Sequence, residues 1–200
     1  MKLKRAASQN IDQQGKDREI IAAAAEVFAG YGFRKVTMDD VSRQLGMVRS
    51  ALYYYYGNKG ELFRAVLDSR FDDYSSEVRK KTGGAAVPVR KLAAFSSCLV
   101  VYRNDLVRRF RLNYEEMQGH YDIIQEIKSR VLSLHVEMLT DIFLEAGLPM
   151  SVTTRRMAHI LSMSLLGVVY NSPEVDDKSL ARNLAYLCRV FYNGLKGRAR

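Results

Sequence analysis

The sequence has few of the residues that hold small secreted or metal-dependent domains together. Its 200 residues contain only two cysteines, Cys98 and Cys188, and they lie far apart inside apolar stretches. A disulfide framework needs more cysteines in a shorter chain, and a zinc site needs clustered ligands. We therefore expect both cysteines to be reduced core residues of a cytoplasmic protein that needs no cofactor.

Long apolar runs are missing as well. No stretch reaches the roughly 20 apolar residues of a membrane-spanning helix, and polar residues interrupt the longest uncharged run, residues 157–173. The first residues are basic and polar without an apolar segment, so we expect no secretory signal. The sequence predicts a protein without membrane contact.

Alternation of apolar and polar residues, the pattern of strands, is absent at any useful length. The three prolines, Pro88, Pro149 and Pro173, fall between stretches of helical periodicity. We predict an all-α fold of about nine helices, with a mobile basic arm at 1–15, one domain at 16–62 and a second at 63–200. The predicted helices cover residues 16–31, 37–45, 47–56, 58–81, 88–102, 105–119, 121–146, 152–170 and 178–197.

Positive charge is in excess. The chain has 31 Lys and Arg against 22 Asp and Glu, a net charge of +9. This balance favours an anionic partner, and nucleic acid is the commonest soluble one.

Residues 37–63 combine the signals of a helix-turn-helix. The hydroxyl of Thr37 can cap a first helix, with Asp40 at the third position after the cap. Gly46 follows as the turn, and a second helix then carries four consecutive tyrosines, Tyr53 to Tyr56. A helix that enters the major groove of DNA fits this arrangement, whereas a packing cluster of tyrosines is the alternative.

The outer face of the second helix offers side chains suited to DNA. Arg49 can donate two hydrogen bonds to guanine, and the small Ser50 permits close approach. Tyrosine hydroxyls can donate to phosphate oxygens, and Lys59 opens the next helix, where backbone N–H groups also favour phosphate. We expect Leu52 to face the core.

The stretch from about residue 16 to 65 resembles the TetR family of bacterial transcription regulators. The resemblance implies that Thr37, Tyr55 and Lys59 contact DNA phosphates. It also implies that Arg49, Ser50 and Tyr54 read bases, and that Tyr53 shares in contacting the phosphate backbone of the DNA. Val48 departs from the pattern, because the family usually has a capping Ser or Thr there. The residues that carry the likeness are Arg18, Ile20, Ala24, Phe28, Gly32, Thr37, Leu45, Gly46, Leu52, Tyr53, Tyr55, Tyr56, Lys59, Leu62 and Phe63.

The resemblance also implies a C-terminal helical bundle that binds a small effector and forms a homodimer. Independently, the helices at 152–170 and 178–197 carry more apolar side chains than a monomer of this size covers easily. We predict a two-fold four-helix bundle from two chains; the alternative is a single-chain core.

Aromatic and methionine side chains of the middle helices are the candidates for lining an effector pocket, although such residues also form plain cores. The basic run at 108–111 suits either an acidic ligand or a solvated face. The candidates are Phe95, Tyr102, Phe110, Tyr114, Met117, Tyr121, His135 and Met138.

Enzymatic signals are weak. His135-Val136-Glu137 matches half of a zinc deaminase motif whose cysteine half is missing, and Glu116 with His120 is a lone helical pair. We predict no enzyme and no metal, but a ligand-responsive DNA-binding regulator, a repressor that a small-molecule inducer releases from a palindromic operator. The alternative is a helical ligand carrier or protein-interaction module without a DNA target.

Overall fold

The computed structural model describes residues 2–110, 121–172 and 174–196, and these residues form helices and connecting turns without a strand. The all-α prediction is confirmed. The described residues form eight α-helices and one π-helical segment: α1 (Lys2–Tyr31), α2 (Met38–Gln44), α3 (Arg49–Tyr55), α4 (Lys59–Gly83), α5 (Pro88–Arg103), the π-helix Asn104–Arg109, α6 (Tyr121–Glu145), α7 (Val152–Tyr170) and α8 (Asp177–Lys196).

The predicted separate helix at 105–119 is wrong at its start. The chain leaves α5 directly into the π-helix Asn104–Arg109, because the N–H of Asn104 still bonds to the carbonyl oxygens of Val100 and Val101. The polar residues Arg103 and Asn104 interrupt the apolar periodicity, so the pattern predicted a break between two helices there. Both side chains have polar partners near the start of α8, so the backbone stays helical. The rest of that predicted helix lies outside the described residues.

The predicted start of the first helix is also wrong, because α1 begins at Lys2 and not near residue 16. Residues 2–15, expected to be a mobile arm, are therefore helical. Apolar periodicity begins only at Ile20, and Gly15 looked like a boundary. A single glycine inside a helix costs about 1 kcal/mol, which is too little to end one.

The chain divides into two compact units. Unit 1 comprises Met1–Arg70 and Arg109–Ile123, and unit 2 comprises Phe71–Arg108 and Ile124–Arg200. The division in α4 thus falls after Arg70 rather than after residue 62, because Leu62, Phe63, Val66 and Leu67 are fully buried.

Three aromatic rings form the centre of unit 1. Phe63 of α4 lies 4.8 Å from the ring centroid of Phe28 in α1 and 4.8 Å from that of Phe33. Phe110 adds an edge-on contact with Phe63 at 6.3 Å. This core holds α1 and α4, and α2 packs on both α1 and α3.

Unit 2 is organised around α5, which packs on α7 and α8, while α7 and α8 pack on each other. Leucines make the contact: Leu99, Leu161, Leu165, Leu180 and Leu184 are at most 1% exposed. Among the helices that the structure describes, none has the length and apolar character needed to cross a membrane.

Candidate functional site

The start of α2 is fixed by a reciprocal cap. The backbone N–H of Asp40 donates to the hydroxyl of Thr37 at 3.3 Å, and the backbone N–H of Thr37 donates to the Asp40 carboxylate at 2.9 Å. The Thr37 hydroxyl also donates to this carboxylate at 2.7 Å. These bonds from Thr37, with a smaller contribution from Arg43, hold the pKa of Asp40 below its usual value. The predicted cap is confirmed.

The turn between α2 and α3 is a glycine-terminated helix end. Gly46 has φ +64°, a left-handed conformation in which a residue with a Cβ is strained. Its N–H donates to the carbonyl of Arg43 at 3.2 Å, and the N–H of Met47 donates to that of Ser42 at 3.0 Å. This pair of bonds is the Schellman motif, and it sets the angle at which α3 leaves the turn.

α3 shows one apolar anchor and one open face. Leu52 is fully buried, whereas Tyr53 is 39% and Tyr54 78% exposed. Arg49 and Ser50 are exposed as well. Val48, the N-cap of α3, makes no side-chain cap and is 69% exposed. The side chains predicted to point outward do so.

Arg49 is held between the two helices of the motif. Its Nη1 donates to Asp39 Oδ2 in α2 at 3.2 Å, and its Nη2 donates to the Tyr53 hydroxyl at 3.2 Å. The guanidinium also lies 5.2 Å from the centroid of the Tyr53 ring. The bond to Tyr53 and the charge of Asp39 raise the pKa of Arg49.

The last two tyrosines of the run have different positions. Tyr55 is half-buried and meets Tyr54 edge-on, with ring centroids 5.4 Å apart. The Tyr56 hydroxyl donates to Asp17 of α1 at 2.6 Å, and burial followed by this bond raises its pKa. The run is therefore partly exposed, at Tyr53 and Tyr54, and partly packed, at Tyr55 and Tyr56.

Lys59 points partly inward. Its ammonium donates to the carbonyl oxygens of Phe33 at 2.8 Å and Arg34 at 3.4 Å, and it lies 4.5 Å from the Phe33 ring centroid. Partial burial lowers its pKa. An ammonium has one donor more than these two bonds use, which can still reach a phosphate oxygen.

Unit 2 gathers several of the predicted effector residues into a buried cluster. Phe95, Tyr102, His135 and Met138 are all at most 6% exposed. Phe95 meets His135 edge-on at 4.8 Å between ring centroids. Met138 lies apart, beside a surface hollow of about 220 Å³ that Arg79, Thr82, Gly83, Lys91, Asp141, Ile142 and Glu145 complete.

His135 is hydrogen-bonded on both sides by residues absent from the predicted set. The Tyr74 hydroxyl lies 2.6 Å from its Nε2, and the Ser162 hydroxyl lies 3.3 Å from its Nδ1. Tyr74 also stacks on Tyr102 at 4.3 Å. The helical spacing of Tyr74 with Leu67 and Phe71 could have predicted that its side chain is buried. The two aspartates directly before it interrupt this apolar pattern. Ser162 looked like an interruption of an apolar helix.

Burial lowers the pKa of His135 to about 3. The imidazole is therefore neutral at physiological pH, with one nitrogen donating and the other accepting. A neutral, buried polar group of this kind can exchange its partners for those of a ligand.

Two other predicted effector residues, Phe110 and Tyr121, do not join this cluster. Phe110 is buried in the core of unit 1, and Tyr121, also in unit 1, is 56% exposed. Tyr114 and Met117 lie outside the described residues, as do Glu116, His120 and Arg111. Arg109 pairs with Glu26 of α1. Among the side chains that the structure describes, no three His, Cys, Asp or Glu are arranged to hold a metal.

Arg103 is a polar core residue that sequence analysis missed. It is 1% exposed, and its guanidinium donates to the carbonyl oxygens of Ser172 at 2.6 Å and Val175 at 3.4 Å. The adjacent Asn104 donates to Asp177 at 2.6 Å. These bonds tie the end of α5 to the connection between α7 and α8.

α7 and α8 each expose apolar side chains. Ile160 is 49% and Met163 51% exposed on α7, and Tyr186 is 65% and Val190 51% exposed on α8. The members of each pair are three or four residues apart, so each pair lies on one face of its helix. Single exposed apolar residues are ordinary, whereas paired faces on adjacent helices are typical of an interface.

Known proteins share both the helix-turn-helix and the whole fold. Residues 20–66 match the family model of the bacterial regulatory proteins of the tetR family. The helix-turn-helix of this chain is thus similar to that of tetR-family regulators. SrpR, a helix-turn-helix transcriptional regulator of Pseudomonas putida, is a relative with 34% identity over 84 residues, which are 40% of this chain and 39% of SrpR.

Solved structures extend the likeness across the fold. A transcriptional regulator from Cytophaga hutchinsonii superposes with a TM-score of 0.77 at 23% identity, covering 90% of this chain and 98% of that one. The FadR regulator of Bacillus subtilis, solved with stearoyl-CoA, gives 0.64 at 18% identity, covering 86% and 96%. The predicted resemblance to the TetR family is confirmed over residues 20–66, and the matched sequence spans only about two fifths of SrpR.

Proposed function

We propose that this chain is a dimeric, sequence-specific DNA-binding repressor that a small-molecule effector releases from a palindromic operator. The observation that carries the proposal is the open face of α3, where Arg49, Tyr53 and Tyr54 project beside the buried anchor Leu52. A short helix that is anchored by one leucine and fixed by a glycine turn presents such side chains rigidly to the major groove.

Arg49, Ser50 and Tyr54 read base edges. Arg49 is exposed on the outer face of α3, and a bidentate contact of its guanidinium to guanine is the commonest specific one. Tyr54, at 78% exposure, is free of core packing on most of its surface, so its ring can lie on a thymine methyl.

Thr37, Tyr53, Tyr55 and Lys59 contact phosphates. The Lys59 ammonium donates to two backbone carbonyls and retains one donor for a phosphate. The two bonds hold the side chain in position before DNA binds. Such contacts fix the register of the protein on the duplex but carry no base information.

Two copies associate through the exposed apolar faces of α7 and α8. Ile160, Met163, Tyr186 and Val190 supply these faces, and pairing them across a two-fold axis completes a four-helix bundle. A two-fold dimer presents two α3 helices, which is why the operator is palindromic.

The effector binds in unit 2 by opening the cluster around His135. Tyr74 and Ser162 satisfy the imidazole in the closed form, so a ligand with an apolar body and one hydrogen-bonding group can replace either partner. FadR of Bacillus subtilis, which shares this fold, was solved with stearoyl-CoA, and this supports a small-molecule effector for the present chain. Tyr74 belongs to α4, the helix that begins at Lys59, so its displacement acts on a helix that carries a DNA-contacting residue.

Selection of bound duplexes from a random pool tests the proposal. The purified chain is expected to enrich a palindrome with two half-sites one helical turn or a multiple apart. Arg49→Ala should relax the preference at one base position per half-site by about tenfold. Lys59→Met should weaken binding to all duplexes and reduce the salt slope by about one. Recovery of no palindrome would favour the ligand-carrier or interaction module instead.

A further inference from the structure

The carboxylate of Asp39 lies beside the residue proposed to read guanine. Its Oδ2 accepts from Arg49 Nη1 at 3.2 Å, and its Oδ1 lies 3.2 Å from Arg49 Nε. Both side chains are about half exposed or more, 49% for Asp39 and 61% for Arg49. An ion pair this exposed adds little to stability, so the pairing needs another explanation.

Asp39 has no part in the cap of α2. That role belongs to Asp40, which exchanges bonds with Thr37. The backbone carbonyl of Asp39 accepts from the Ser42 hydroxyl at 3.0 Å. The Asp39 side chain is directed at Arg49 of α3.

A carboxylate on a DNA-facing surface repels phosphates. On DNA that lacks the right base, Arg49 remains paired with Asp39, and together the two side chains carry no net charge toward the backbone. On the cognate site, guanine O6 and N7 accept from the guanidinium, which compensates for loosening this pair. The carboxylate thus penalises nonspecific binding more than specific binding.

We propose that Asp39 is a specificity-determining residue, which withholds Arg49 from phosphates and releases it to guanine. This inference rests on the proposed DNA-binding function and names the group that regulates its base-reading residue. Tyr53 completes the arrangement, because its hydroxyl accepts from Nη2 and keeps the guanidinium on the outer face when the Asp39 contact loosens.

The test compares Asp39→Asn with the unaltered chain on the selected palindrome and on a scrambled duplex of the same length. Asp39→Asn should tighten binding to the scrambled duplex by about fivefold, with a salt slope steeper by about one, and change palindrome binding by less. The ratio of the two affinities should therefore fall about threefold or more. Glu19→Gln is the control, since it removes an exposed carboxylate of unit 1 that pairs with Lys16.

A double-mutant cycle separates the mechanism from a general charge effect. In an Arg49→Ala background, Asp39→Asn should shift both affinities equally and leave their ratio unchanged. An unchanged ratio for Asp39→Asn alone, a ratio change that persists without Arg49, or an equal change with Glu19→Gln would overturn the inference. If the unaltered chain itself does not prefer the palindrome, the proposed function falls and this inference with it.

Discussion

The hydroxyl of Tyr56 donates to the carboxylate of Asp17 at 2.6 Å, joining residues 39 positions apart in the chain. Tyr56 is the C-cap of α3, and Asp17 lies in α1. α3 is thus fixed at both ends, by the Gly46 turn before it and by this bond after it. These two attachments limit the motion of the exposed face of α3.

Removing that bond should weaken unit 1 without changing its fold. Tyr56→Phe keeps the ring and is expected to lower the free energy of unfolding by about 1–2 kcal/mol, because Asp17 loses a charge-assisted partner. Chemical denaturation measures the change. Asp17→Asn combined with Tyr56→Phe should cost little more than Tyr56→Phe alone; fully additive losses would show that the two side chains do not interact.

The N-cap of α3 has room for improvement. Val48 is 69% exposed and caps nothing, so Val48→Thr should raise the free energy of unfolding by about 1 kcal/mol by accepting from an N–H of the first turn. Val48→Ala, which supplies no acceptor, is the control. A Thr variant no more stable than the Ala variant would contradict the prediction. The added hydroxyl should also tighten DNA binding independently of sequence.

His135 makes the free energy of unfolding depend on pH. Its folded pKa of about 3 lies below the unfolded value of about 6.5, so between them the unfolded state binds the extra proton. The stabilising contribution of His135 is fully present above about pH 6.5. Below that, the free energy of unfolding falls by about 1.4 kcal/mol per pH unit as the pH drops toward 3.

Unfolding measured from pH 7 to pH 4 tests this dependence. His135→Gln is expected to be less stable at pH 7 but to lose this part of the slope, since glutamine does not titrate. The unaltered chain, measured in the same buffers, supplies the reference slope. A slope that survives His135→Gln would assign the dependence to other groups.

The exposed faces of α7 and α8 predict a dimer that one charge disrupts. Val190→Glu places a carboxylate where two copies meet, and its desolvation should shift the protein to monomers in sedimentation experiments at micromolar concentration. Ser133→Glu, exposed on α6, is the control and should leave the mass unchanged. If Val190→Glu sediments like the unaltered chain, this face is not the interface.

Local interactions let the sequence alone determine the helix-turn-helix. The cap of α2 joins Thr37 to Asp40, and the turn bonds run from Gly46 and Met47 to residues at most five positions earlier. Helical phasing also placed Leu52 inside and Tyr54 outside, because neighbours within two turns decide which face a residue occupies.

Long-range contacts decided what sequence patterns could not. Lys59 turns toward carbonyls 26 and 25 residues away, and Tyr74 meets His135 across 61. Phe110 entered the core of unit 1 although its spacing suited a pocket in the second domain. Arg103 is buried because carbonyl oxygens about 70 residues later accept its hydrogen bonds.

The difference has one physical cause. A periodic pattern states which face of a helix is apolar, and a cap or glycine states where that helix begins or ends. Neither the pattern nor the cap indicates which other helix packs on the apolar face. The partners of a buried polar group depend on that packing. The sequence therefore determined the helix-turn-helix, while the tertiary structure decided how Arg49 is restrained and how His135 is satisfied.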